Sequence, residues 1–205
     1  MPDTDTCDLL ECIQTHIGKV AVSLSRAGYF LATAESCTGG MIAAACTDVA
    51  GSSAWFKGGV VAYANEVKEH VLDVPARILE EHGAVSAPTV EQMALGVLRV
   101  CDAEAAIAVS GIAGPGGGTR EKPVGTVWIA LALQERPGIY CLDLQEAGGT
   151  FPGCFSRTRL GERSAVTYAV KCLFPGGRDA VRLQAVERSL RDFGALFALG
   201  SENAG

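Results

Sequence analysis

Tyr29-Phe30-Leu31-Ala32-Thr33-Ala34, then Glu35-Ser36-Cys37-Thr38-Gly39-Gly40, then Met41-Ile42-Ala43-Ala44-Ala45-Cys46-Thr47 is the stretch that decides the fold. The first run is short and largely apolar, as suits a buried strand. The second is a polar glycine turn, and the third is built of small residues that suit a helix. Strand, glycine turn and helix in that order open an α/β unit. Upstream, Leu10, Ile13, Ile17, Val20 and Leu24 recur at three- and four-residue steps, which predicts one stripe of an amphipathic helix that Gly28 can end. Downstream, Trp55 to Tyr63 reads as a second strand, with Gly58 and Gly59 marking a bulge or a close backbone approach.

A short helix from about Glu66 and a turn near Pro75 follow. Ser86 or Thr89 can cap the next helix, whose apolar positions Val90, Met93, Ala94, Val97 and Leu98 repeat at helical spacing up to about Asp102. Ala105 to Val109 is a buried strand that runs into the glycine-rich loop Ser110 to Thr119, and Thr126 to Leu133 is a longer strand. From Pro137 to about Ala165 the periodicity breaks, so this segment is expected to be an insertion: a hairpin, a lid or a contact between copies. Tyr168 to Phe174 reads as a last strand. A terminal helix from Asp179 to about Leu199 would bury Val181, Leu183, Val186, Leu190, Phe193 and Leu196.

Alternating strands and helices predict a single α/β domain over residues 1–205, a three-layer α/β/α sandwich around a mostly parallel mixed sheet. Such sheets bind ligands beyond the carboxyl ends of their strands. The turns at Ser36, Tyr63 and Ser110 each follow a strand, so the topology should bring them to one edge.

Composition narrows the function. A net charge of −6 would repel a nucleic-acid backbone over long range, which leaves a small phosphate at a local positive site. The eight cysteines show neither a C-x-x-C pair nor a zinc-knuckle spacing, so no metal is expected, and His16, His70 and His82 have no ligand spacing and read as surface residues. The acidic start MPDTDTCDLLE has no apolar core of a secretion signal, and no uncharged apolar run is long enough for a membrane span. A cytoplasmic protein is expected, its thiols reduced and mostly buried.

Ser36 falls between a strand end and a helix start, where free N–H groups and the helix dipole favour negative charge. A serine hydroxyl needs a base before it attacks a carbonyl, and the sequence offers Tyr63 and Lys68. An ammonium beside a phenol favours the phenolate, while a buried lysine can itself lose its proton, so either would activate Ser36. Taken alone, a serine before Gly-Gly is an ordinary turn residue, and a tyrosine and lysine five apart are ordinary strand-end and helix-surface residues. The Ser110 loop lacks the G-K-[ST] ending of a P-loop, and no G-x-G-x-x-G follows the first strand. A short-chain dehydrogenase needs that motif and Tyr-x-x-x-Lys, whereas the spacing here is Tyr-x-x-x-x-Lys. Cys37 adjoins Ser36 but has no nearby histidine and reads as a small buried neighbour.

In order and spacing, Ala34 to Gly40, Tyr63-Ala64-Asn65-Glu66-Val67-Lys68, Ala84-Val85-Ser86, Ser110 to Pro115, Lys122-Pro123-Val124-Gly125-Thr126-Val127 and Phe174 to Arg182 resemble the CinA C-terminal domain, the family of nicotinamide-nucleotide amidases. The resemblance covers almost the whole chain apart from the insertion. It implies a competence/damage-inducible-type protein of pyridine-nucleotide salvage that hydrolyses nicotinamide mononucleotide to nicotinic acid mononucleotide and ammonia. It further implies no cofactor and a homodimer or higher assembly. Carried across, Ser36 is the nucleophile, with Tyr63 and Lys68 as its activating pair. Glu35, Thr38, Gly39, Gly40, Asn65, Ser110, Gly111, Gly114 and Arg178 are the candidate substrate contacts; amides around Thr38 to Gly40 are candidates for the oxyanion and Arg178 for the phosphate, and the sequence leaves open which loop holds which. Ser110 stands where many relatives have threonine. That departure and the insertion motivate the alternative, a nucleotide-binding or regulatory module of the same family without turnover.

Overall fold

The computed structural model describes residues 6 to 202, so the first five residues of the acidic amino-terminal stretch lie outside the described residues. The elements in chain order are helix α1 (Thr6–Ala27), strand β1 (Leu31–Glu35), α2 (Met41–Thr47), β2 (Phe56–Val61), α3 (Asn65–Leu72), α4 (Ala76–His82), α5 (Ala87–Cys101), β3 (Ala105–Gly111), β4 (Thr126–Gln134), α6 (Leu144–Thr150), β5 (Cys154–Leu160), β6 (Arg163–Leu173) and α7 (Arg178–Glu202). They build a three-layer sandwich on a mixed sheet of order β2-β1-β3-β4-β6-β5. Strands β1, β2, β3 and β6 share one direction, against β4 and β5. The β2-β1-β3 trio is joined by helical crossovers and pairs in parallel, whereas the β3–β4 and β5–β6 links carry no helix and give antiparallel pairs.

The two faces of the sheet differ in bulk, and the sequence alternation is the cause. Leu31, Ile107, Val109, Val127, Ile129 and Leu131 point to one side, where they pack with α1 and α7 residues such as Ile17, Leu24, Val186 and Phe193. Ala32, Ala34, Ala106, Ala108, Ala130 and Ala132 point to the other, and meet Val90, Met93, Val97 and Leu98 of α5. An alanine face lets α5 approach the sheet closely, and the helix supplies the volume.

The bulge expected in β2 falls at Lys57: Leu31 pairs with Phe56 but Ala32 pairs with Gly58, whose φ is +146°. Ser86 caps α5 by accepting the Thr89 amide. Three expectations are corrected. Leu10 is exposed, and Leu9 takes the buried position in α1. Cys7 and Cys12 on the outer side of α1, Cys141, and Cys154 at the start of the edge strand β5 are exposed; Cys101 is half-buried, and Cys37, Cys46 and Cys172 are buried. His16 is half-buried, with Nε2 3.3 Å from the Glu187 carboxylate. The segment from 137 to 165 folds into α6, the edge strand β5 and the start of β6. Among the described residues no helix is long and apolar enough to cross a membrane.

Candidate active site

Because β2, β1 and β3 are neighbours and parallel, their carboxyl ends lie side by side, and the turns that follow them at Tyr63, Ser36 and Ser110 emerge together. Backbone bonds continue past the strand ends: Ser36 N–H donates to Val109 O at 2.9 Å and Ala62 N–H to Glu35 O at 2.7 Å. Side-chain alternation along β1 then decides what each residue can do. Ala32, Ala34 and Ser36 share the α5 side, so the serine hydroxyl faces α3, which carries Lys68.

Lys68 is 1% exposed. Its Nζ lies 3.4 Å from Ser36 Oγ, and donates to Ala62 O at 2.7 Å and to Tyr63 O at 3.1 Å. Burial pushes its pKa below the usual lysine value, with Cys37 and Glu66 opposing the shift. Two carbonyls therefore fix two of the amine's tetrahedral positions and direct the third at the serine. Ser36 is itself buried.

Ser36, Cys37, Tyr63, Lys68, Ser110, Gly111, Gly114 and Arg178 line one cavity of about 270 Å³, which Ala84, Val85, Ile112, Ala113, Gly116 and Gly117 complete. A larger depression of about 650 Å³, at Cys141 to Glu146 and Arg157, lies away from the strand ends. Gly111 is required where it stands, since a Cβ there would come within 2.7 Å of Val127 Cγ2 and 2.8 Å of Thr126 O. Ser110 Oγ donates to Ala84 O at 2.7 Å, which ties the loop after β3 to the segment before α5. Lys122 Nζ spans the same gap to His82 O at 2.9 Å. Exposed Arg178 reaches the rim, where Nη1 donates to Gly114 O at 2.9 Å.

Not every sequence candidate takes its expected part here. Tyr63 is 64% exposed, and Lys68 takes its backbone carbonyl, so of the two arrangements open to the sequence the direct lysine–serine contact is the one present. Glu35 points to the opposite side of β1 from Ser36. Its carboxylate accepts the amides of Gly40, Ile42 and Ala43 at 2.9, 3.1 and 2.9 Å, so it caps α2. That corrects both its assignment to substrate and the use of the Gly40 amide for an oxyanion. Gly39 and Gly40, with φ of +62° and +97°, shape the turn outside the cavity lining. Thr38 is fully buried, with Oγ1 unpartnered, and exposed Asn65 opens α3; neither side chain reaches the cavity lining. Burial pushes the Cys37 thiol up to about 11, so it stays protonated near neutrality. Arg182 escaped the sequence reading, although it closes the Phe174 to Arg182 motif: from α7 it donates Nε to Cys37 O at 3.1 Å and Nη2 to Thr38 O at 3.0 Å.

Fold and site together define an α/β/α protein with a buried hydroxyl–amine pair at the ends of parallel strands. The model of the CinA C-terminal domain matches residues 13–150, and the chain belongs to that family. It is 46% identical over 157 residues to the protein named nicotinamide-nucleotide amidohydrolase PncC of Shigella flexneri, covering 76% of this chain and 89% of that one. The protein of the same name from Escherichia coli strain K12 matches with the same identity and coverage. In three dimensions the chain is similar to the competence damage-inducible protein A of Klebsiella pneumoniae, with a TM-score of 0.74 at 33% identity over 91% of this chain and 97% of that one.

Proposed function

We propose that this chain is an amidohydrolase that converts nicotinamide mononucleotide to nicotinic acid mononucleotide and ammonia, with Ser36 as nucleophile and Lys68 as its base. The observation that carries the reading is the desolvated Lys68 amine held against Ser36 Oγ by two backbone carbonyls. Its relatives' names support the substrate. In the neutral amine, the two remaining N–H groups point at Ala62 O and Tyr63 O and the lone pair points at the serine. Ser36 Oγ attacks the carboxamide carbon, its proton passes to Lys68, and the carbonyl oxygen becomes negative. Collapse expels ammonia with the proton returned by Lys68 and leaves an acyl-enzyme. Water then attacks the ester, Lys68 takes its proton, and on collapse Lys68 returns that proton to the departing Ser36 Oγ, which frees nicotinic acid mononucleotide and restores the hydroxyl and the neutral amine.

The cavity is at the small end of small-molecule sites, so the pyridine and ribose fill it and the phosphate sits at the Arg178 rim. Apart from its bond to Gly114, Arg178 has no hydrogen-bond partner among the described residues, so its remaining N–H groups are available to phosphate oxygens. Ammonia release is expected from nicotinamide mononucleotide, and far less from free nicotinamide or from NAD. Equal turnover of free nicotinamide would defeat the mononucleotide assignment. Arg178→Ala is expected to raise KM for the mononucleotide by about tenfold or more with kcat nearly unchanged, the signature of lost uniform binding. Steady-state kinetics beside the phosphate-free riboside, whose KM should not move, checks the assignment. Assembly as a homodimer or higher oligomer is proposed on the family resemblance alone.

A further inference from the structure

The turn after Ser36 has most of its peptide groups committed locally. Ser36 N–H goes to Val109 O, Gly39 N–H to Ser36 O, Met41 N–H to Thr38 O and Gly40 N–H to the Glu35 carboxylate. With Glu35 on the first amides of α2, those groups are closed to a substrate oxygen. The Cys37 and Thr38 carbonyls are held from outside the cavity by Arg182, which does not line it. A trans peptide carries its N–H opposite its C=O. The guanidinium on the Cys37 carbonyl therefore turns the Thr38 N–H away from Arg182.

Thr38 is fully buried, and among the described residues its amide donates to no oxygen. Sulfur is a weak acceptor, so a buried amide that meets only the Cys37 thiol is under-satisfied, and an incoming substrate oxygen relieves that cost. The amides of Cys37 and Thr38 also draw the Cys37 thiol partly back from the shift that burial gives it, as expected if both face its sulfur. A hydrogen bond to one end of a peptide strengthens the donor at the other.

Resting on the serine-amidase reading, we infer that Arg182 is a positioning residue that aims and polarises the Thr38 amide toward the oxygen that becomes negative when Ser36 attacks. Substrate is held by other groups, so Arg182 acts on the rate of the chemical step and leaves ground-state binding alone.

Arg182→Met and Arg182→Lys in the full chain test this. In Arg182→Met, kcat for ammonia release should fall by about 30-fold while Kd for nicotinamide mononucleotide stays within about threefold, with Arg182→Lys intermediate. Phosphonylation of Ser36 by a fluorophosphonate should slow in parallel. In that reaction the serine oxygen bonds to phosphorus, the P–F bond breaks, fluoride leaves, Lys68 takes the proton, and the phosphonyl oxygen occupies the oxyanion position. Should the methionine variant not fold, the lysine variant carries the same comparison. An unchanged phosphonylation rate overturns the inference, as does a loss of Kd in step with kcat and a lowered thermal midpoint. Wild-type protein that released no ammonia would instead defeat the amidase reading, and the phosphonylation ratio would still decide the role of Arg182.

Discussion

Lys68→Met should yield a folded protein whose ammonia release from nicotinamide mononucleotide is at least about 10³-fold slower, because the amine that takes and returns the serine proton is gone. Ser36→Ala should be equally inactive, and the double variant no worse than either, since the two groups act as a unit. The pH dependence has a definite sign. Burial lowers the Lys68 pKa, and the neutral amine is the base, so kcat/KM should rise with pH until Lys68 is deprotonated and then level off. That limb should lie below the usual lysine range and be missing from whatever residual activity Lys68→Met retains. Tyr63→Phe discriminates between the two candidate bases: the phenol is exposed and Lys68 takes only the Tyr63 carbonyl, so most of kcat should survive. A Tyr63→Phe protein as slow as Lys68→Met would return the proton-accepting role to the phenol.

Much of this site is written in the sequence as parity. Alternation along Leu31 to Glu35 puts Ala32, Ala34 and then Ser36 on the side where α3 lies, and sends Glu35 to α2. The same alternation that predicts a buried strand thus separates nucleophile from cap. The convergence of three turns was likewise legible, because adjacent parallel strands must end together. That the Lys68 amine and not the Tyr63 phenol meets Ser36 was not. The contact uses the carbonyls of Ala62 and Tyr63, which lie just past the end of β2, and a backbone acceptor leaves no trace in residue identity. Arg182 escaped for the same reason, since both its partners are carbonyls some 145 residues away. The edge strand β5 failed differently: Ser156, Arg157, Thr158 and Arg159 carry no apolar alternation, because an outer strand with charges on it guards an open edge.

Gly96→Ala tests whether packing behind the site holds Lys68 in place. Glycine inside a helix ordinarily weakens it by up to about 1 kcal/mol relative to alanine, so intrinsic propensity favours the change. The contact opposes it. A Cβ on Gly96 would press into the Leu72 carbonyl oxygen and lie 2.9 Å from its carbon and 3.0 Å from its Cα, all backbone atoms that no rotamer change can move. Either α5 lifts off the alanine face or the end of α3 shifts, and Val74 N–H, bonded to Lys68 O at 3.0 Å, couples that end to the catalytic amine. A net loss of about 1–3 kcal/mol is expected. For a chain of this size that lowers the thermal midpoint by about 5 °C, read by circular dichroism. Activity should fall further than stability alone requires, because a small displacement lengthens the 3.4 Å approach of Nζ to Ser36 Oγ. Gly18→Ala in α1 is the matched control: nothing lies within 4 Å of the added methyl, so the same substitution should be neutral or slightly stabilising with activity intact. Equal midpoints for the two variants would mean that α3 yields freely against α5, and that the lysine is held by its carbonyls alone.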